Sequence, residues 1–279
     1  MITENIIKDK NLYKSLGPVG SKLITELNRN QKMVFSFPEA VQALGSDKSN
    51  TKKLLHDLIR KGWVRRIEKG KYYLVPINVD ANSPYVEASF SIASKLVNPY
   101  YLGFWTMLNY YGFTEQLSTT IFIATTKRKK PLTVSGVTYR FISVSTQKMF
   151  GTAEIESNGI RTIVSDREKT ILDCLDHPEY CGGIIETAKG LWNARAEIDF
   201  EKLLKYAQIS KNSAISKRLG FILELFDLDK KLDIARLKGM LKKGYSPLDP
   251  LLPKRGKYNT RWHLLVNISS EELLALKKA

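Results

Sequence analysis

The chain has 279 residues, 43% of them hydrophobic and 26% charged, a composition that buries real cores and excludes a disordered or fibrous polypeptide. Its 44 Lys and Arg against 28 Asp and Glu give a formal net charge of +16, which favours a polyanionic partner. No run approaches the ~18 apolar residues of a membrane span, and Cys174 and Cys181 fit neither C-x-x-C nor a disulfide framework, so a cytoplasmic chain with no membrane contact, structural metal or cofactor is expected.

The length exceeds one small DNA-binding module, so two domains are expected, 1–79 and 80–279. Residues 1–80 hold 15 Lys and Arg against 8 Asp and Glu and the rest 29 against 20, so both parts are basic. Leu23, Ile24 and Leu27 mark a first helix, and Val34 and Phe35 a short strand. Ser36 to Glu39 is an S-x-x-E capping box opening a helix in which Ala40, Val41 and Leu44 face inward, until Gly45 ends it. Ser46 or Asp47 caps the next helix, with Leu54, Leu55, Leu58 and Ile59 as the buried stripe. Lys48, Ser49, Asn50, Thr51, Lys52, Lys53 and His56 lie off that stripe. Gly62 stops it, and a hairpin follows through Trp63, Val64 and the Glu68, Lys69, Gly70 turn to Tyr72 and Val75.

This order is that of a winged helix-turn-helix, which lays its third helix in the major groove and its hairpin on the backbone or minor groove. Asn50 has the amide for bidentate adenine contact, Lys48 and Lys52 reach guanine or phosphate, and Arg65, Arg66, Lys69 and Lys71 make a basic wing. The competing reading is a protein-binding module with a merely solvated basic face.

Pro76 to Pro84 reads as a polar linker. Helices are expected at Val86 to Leu96 and Gly103 to Tyr111, then strands at Thr120 to Thr125, Val137 to Val144 and Gly159 to Val164, with a turn at Ser157 to Gly159. Lys127, Arg128, Lys129 and Lys130 form a basic loop, a secondary phosphate candidate that as a class is more often a solvated turn. Ser165 to Glu168 repeats the capping-box spacing before a helix on Ile171, Leu172 and Leu175. Helical spacing recurs at Glu186 to Ala194, Phe200 to Gln208, Asn212 to Phe226 and Ile234 to Leu241. Trp262 to Ile268 is expected to close the sheet as a final strand, and Glu271 to Leu276 to form a terminal helix. The fold class is therefore α+β: a winged head, then a small sheet packed with several helices.

Four stretches carry a family resemblance: the head ending Gly70, Lys71, Tyr72, Tyr73; PYYLGFWTMLNYYGF over 99–113; VSDREKTILD over 164–173; and RLGFILELF over 218–226. Together they resemble the AbiEi antitoxins of type IV toxin-antitoxin systems. The resemblance implies a DNA-binding antitoxin that represses its own operon from an inverted-repeat operator, self-associating on it. It also implies that the second domain neutralises a nucleotidyltransferase-like toxin, with direct contact left open. Glu168, Lys169, Thr170 and Asp173 match the family signature; as a capping box, with Glu168 the reciprocal cap and Asp173 pairing nearby, their role is structural.

Enzyme motifs are missing: the chain has no G-x-x-x-x-G-K-[ST] loop, no H-E-x-x-H and only three scattered histidines, so no catalytic residue is assigned. Two alternatives stay open. One is a regulator whose second domain senses a small molecule through Trp105, Tyr110 and Tyr111. The other is a metal-dependent nuclease using Glu154, Glu156, Asp166, Glu168 and Lys169.

Overall fold

The computed structural model describes residues 15–75, 84–134, 136–157 and 160–277. The chain forms two compact units, Met1–Lys95 with Ser157–Ile160, and Leu96–Glu156 with Arg161–Ala279. Apart from Pro84 the expected linker lies outside the described residues, as do positions 158 and 159 of the expected turn.

In the first unit, α1 (Gly17–Arg29), β1 (Val34–Ser36), α2 (Phe37–Leu44), α3 (Lys48–Arg60), β2 (Val64–Glu68) and β3 (Lys71–Leu74) follow one another. The strands form an antiparallel sheet in the order β1-β3-β2. Leu23 and Leu27 of α1, Ala40 and Leu44 of α2, Leu55 and Leu58 of α3, and Phe35, Val64 and Leu74 of the strands make one core. The capping box forms: the Ser36 N–H donates to Glu39 Oε2 at 2.7 Å, and the Glu39 N–H donates to Ser36 Oγ at 3.4 Å. Burial pushes the Glu39 carboxyl up, but the Lys32 ammonium at 2.8 Å and the Ser36 donors outweigh it and bring it down to about 2. Gly45 then ends α2 at φ +61°, where a side chain would be strained.

α4 (Pro84–Leu96) leads into the larger sheet, built from β4 (Tyr100–Leu102), β5 (Thr120–Thr125), β6 (Leu132–Val134), β7 (Val137–Ser143), β8 (Thr152–Ser157) and β9 (Ile160–Ser165), with α5 (Trp105–Tyr110) between β4 and β5. The order is β6-β7-β5-β4-β9-β8. β4, β6 and β8 are additions to the strands expected from sequence. β4 sits centrally, antiparallel to β5 and parallel to β9. All three of its residues are buried, so it lacks the alternation that betrays a half-exposed strand.

α6 (Arg167–Asp176), α7 (Gly183–Ala194), α8 (Phe200–Ser210), α9 (Ser213–Leu225) and α10 (Ile234–Lys238) follow, then β10 (Ser246–Pro247), β11 (Lys257–Asn259), β12 (Leu264–Val266) and α11 (Ser270–Ala275). The last strands form a separate sheet in the order β10-β12-β11, so the Trp262 to Ile268 run does not close the main sheet. Its anchor is α9. Gly220 lies under the Trp262 ring, where an added Cβ would come within 2.1 Å of the indole. The Trp262 indole N–H and the Arg261 guanidinium both donate to Glu224, each at 2.7 Å. Arg218 donates to the carbonyls of Leu175 at 2.7 Å and Leu248 at 3.1 Å. The RLGFILELF stretch is therefore the clamp that holds the tail.

The E-K-T-I-L-D stretch works in the same way, with one correction. Asp166, not Ser165, caps α6, accepting from the Lys169 N–H at 2.8 Å, and Ser165 ends β9. Glu168 is accordingly not a reciprocal cap: its Oε1 accepts the Asp199 N–H of the α8 N-cap at 2.9 Å and its Oε2 pairs with Lys202 at 2.7 Å. The Thr170 and Ser165 hydroxyls are 2.7 Å apart. The buried Lys169 ammonium donates to Tyr101 Oη of β4 at 2.8 Å and pairs with Asp173, which accepts from the Tyr101 hydroxyl at 3.0 Å. The polar residues of the motif thus tie α6 to three elements: Glu168 to α8, Thr170 to β9, and Lys169 with Asp173 to β4.

Two outcomes follow. Asp173→Ala, which strands a buried ammonium, lowers unfolding free energy in urea by about 3–5 kcal/mol, whereas Lys169→Met with Asp173→Leu recovers most of it; a loss under ~1 kcal/mol for the single change contradicts the tie. For Glu39 the folded value lies below the ordinary 4.5, so its stabilisation is complete above that pH and is lost as pH falls towards 2. Acid titration of Glu39→Gln shows a smaller stability loss over that window than the wild type, and equal losses sink the assignment.

Candidate nucleic-acid interface

The third helix owes its solvent face to its buried one. Thr51, Leu55 and Leu58 fall at i, i+4 and i+7, and all three are buried. That line turns Lys48, Ser49, Asn50, Lys52, Lys53 and His56 outward, and each is exposed. Two expectations change. Thr51 is 0% exposed, its hydroxyl donating to the Asp47 carbonyl at 2.9 Å and lying 2.9 Å from Ser46 Oγ, so it is no base contact. Ile59, one residue or ~100° beyond Leu58, is 36% exposed rather than part of the stripe.

Asp47 is the N-cap, accepting the Asn50 N–H at 2.9 Å, and it also accepts the Asn50 side-chain amide at 2.6 Å. The D-x-x-N spacing is the signal for this second contact, which was not among the sequence expectations. The Asn50 N–H is the main cause that holds the Asp47 carboxyl below the usual carboxylate range. The amide best suited to reading adenine is thus oriented at the helix mouth by an acid, through one of its two N–H donors.

In the wing, Arg65, Arg66 and Lys69 are exposed. Arg65 stands opposite Tyr73 and Arg66 opposite Tyr72 across the β2–β3 ladder, and the register shifts between Arg66 and Glu68. Arg66 Nε donates to the Glu68 carbonyl at 3.4 Å. Lys71 is half-buried, paired with Glu68 at 2.9 Å and donating to the Lys95 carbonyl at 2.7 Å, so its charge is already partly satisfied. Trp63, Tyr73 and Leu74 serve the interior: Tyr73 and Leu74 are buried and Trp63 packs on the core. The result is one helix face and one hairpin carrying cations in solvent on an apolar scaffold, suited to phosphate and groove contact.

The other candidates are dispersed. In the loop after β5, Lys127, Arg128 and Lys130 are exposed, whereas Lys129 is drawn in, donating to the Leu96 carbonyl at 2.7 Å with its ammonium 5.1 Å from the Phe141 ring centre. Of the three aromatics weighed as a pocket, Tyr110 and Tyr111 pack edge to face on each other with ring centroids 5.4 Å apart, the Tyr111 hydroxyl donating to the Ser165 carbonyl and Tyr110 47% exposed, whereas the Trp105 indole donates to the Gln116 carbonyl. Glu154 and Glu156 are exposed on β8 while Lys169 is spent on Asp173, and among the described residues no three His, Cys, Asp or Glu are grouped to hold a metal. Among the described residues no helix is long and apolar enough to cross a membrane.

Residues 22–75, which contain this interface, match the family model described as "Transcriptional regulator, AbiEi antitoxin". The resemblance read from sequence holds over the head. The RV2827C protein from Mycobacterium tuberculosis shares the fold, with a TM-score of 0.63 over 94% of this chain and 95% of that one at 14% identity. No curated protein matches the chain.

The burial pattern separates scaffold from surface on α3. Thr51→Ala, losing a buried methyl and its hydrogen bonds, lowers stability by about 1–2 kcal/mol, whereas Lys52→Ala stays within about 0.5 kcal/mol of wild type. Equal thermal melts for the two variants contradict the assignment.

Proposed function

We propose that the chain is a DNA-binding autorepressor and antitoxin of a type IV toxin-antitoxin system, acting on an inverted-repeat operator in its own promoter. The observation that carries this reading is a coincidence of place: the residues matching an antitoxin transcriptional regulator are those that hold the exposed cationic helix and wing. In this reading Asn50 and Lys52, with Lys48 and Lys53, face the major groove from the first turns of α3, while Ser49 and His56 flank them. Arg65, Arg66 and Lys69 bind phosphates or the minor groove, and Lys71, tied to Glu68, orders the wing more than it neutralises DNA. Two copies on the two half-sites supply the match between operator and protein symmetry.

The second unit neutralises a nucleotidyltransferase-like toxin. Its E-K-T-I-L-D and R-L-G-F-I-L-E-L-F stretches give it a stable framework and are not themselves the reactive groups, since their polar side chains are paired within the unit and, apart from the half-buried Glu224, buried. No catalytic step is assigned to any residue, and neutralisation in this reading does not require direct contact with the toxin. Lys127, Arg128 and Lys130 add a secondary phosphate-contacting loop.

Lys52→Ala with Arg65→Ala weakens binding to the chain's own promoter and flattens the slope of log affinity against log salt by about 1 for each phosphate left without its cation. Rescue from the toxin persists in cells carrying the same double variant. Wild-type affinity and slope in an electrophoretic shift series contradict the reading face, and loss of rescue by the folded variant contradicts the division of labour.

A further inference from the structure

The tail held by α9 carries a surface of its own. Between Met240 and Ile268 the chain has one acid, Asp249, and it is buried, accepting from the backbone N–H groups of Leu251 at 2.8 Å and Ile184 at 2.9 Å. Lys242, Lys243, Lys254, Arg255 and Lys257 are all exposed. Amid them stand Tyr245 and Tyr258, 47% and 66% exposed, with ring centroids 4.7 Å apart and edge to face. The His263 ring lies 5.9 Å from that of Tyr245.

The fold places these groups together. Tyr258 is on the edge strand β11 opposite Leu265, and Tyr245 immediately precedes β10, whose Ser246 N–H donates to the His263 carbonyl at 3.1 Å. Lys217 of α9 holds the Gly244 carbonyl at 2.6 Å, fixing the approach to Tyr245. Gly256 lets the basic turn lie against β12, since a Cβ there would stand 2.0 Å from the Val266 carbonyl oxygen. The two rings are therefore presented on a clamped sheet rather than on a loose terminus.

We propose that this surface binds single-stranded nucleic acid, unpaired bases stacking on Tyr245 and Tyr258 while the surrounding lysines and Arg255 bind the phosphates. Exposed aromatic faces interleaved with cations are what an unpaired strand requires, because every base offers a ring face and every linkage a charge. An acidic protein surface would need the cations and not the rings, and a duplex hides its base faces in the stack. This site is distinct from α3 and the wing, and it stands whether or not the operator reading does.

The test is fluorescence anisotropy of the full chain with a labelled, non-self-complementary RNA of about 12 nucleotides and a DNA strand of the same sequence. Tyr245→Ala with Tyr258→Ala weakens binding by about 10-fold or more, as loss of base stacking does. The Tyr245→Phe, Tyr258→Phe pair, which keeps the ring faces, stays within about 2-fold of wild type. Lys52→Ala with Arg65→Ala leaves single-strand affinity unchanged. Tighter binding of RNA than of DNA adds contact with the 2′-hydroxyl, and equal binding places recognition on bases and phosphates alone; both support the platform. Wild-type affinity in the alanine pair, loss of binding in the α3 and wing variant, or displacement of the RNA by polyglutamate as readily as by unlabelled RNA overturns it.

Discussion

Helical periodicity on α3 is the constraint from which the functional reading descends. Because Thr51, Leu55 and Leu58 must share one side to close the core of the head, the first turns have no choice but to present Lys48, Lys52 and their neighbours to solvent. The same core fixes the hairpin beside it through Val64 and Leu74, and with it the exposed Arg65 and Arg66. The charge on this face is not a by-product of a basic composition; packing aims it.

α6 shows the opposite use of polar side chains. Every residue from Glu168 to Leu175 is buried, so its carboxylates and ammonium cannot serve a partner and must be satisfied inside. Tyr101, Asp199, Lys202 and Ser165 supply the partners, which turns a sequence signature into a set of ties between β4, β9 and α8. Arg218 and Glu224 on α9 do the same for the tail. The distinction between a residue kept for the fold and one offered to a ligand is thus decided by burial and pairing, not by residue type.

The head is legible in its sequence because its signals are local: a capping box at Ser36, a glycine stop at Gly45, an aspartate cap at Asp47 and a tight turn at Gly70. Thr51 misleads because a threonine one turn into a polar helix start looks like surface until the buried line through Leu55 and Leu58 is drawn. In the second unit β4 is hidden, since three consecutive buried residues after a proline show no alternation, β6 is only three residues long beside a turn, and β8 carries Glu154 and Glu156 in place of a β-branched or aromatic run. The cap of α6 falls one residue later than its spacing suggests because Ser165 and Asp166 are both good caps, and only the end of β9 decides between them. In the tail the β12 strand and the α11 helix are legible but their separate sheet is not, because its order comes from Gly220, Glu224 and Arg218, more than twenty residues upstream of most of what they hold.

The central claim is that a cationic face built on α3 and its hairpin is where this protein meets duplex DNA. The most direct measurement is backbone amide hydrogen exchange of the full chain with and without its promoter duplex. Slowed exchange concentrated at residues 46–56 and 64–71, with the Leu23 and Leu27 side of α1 unchanged, is the predicted result. Protection confined to the second unit, or none at a saturating duplex concentration, would contradict the account.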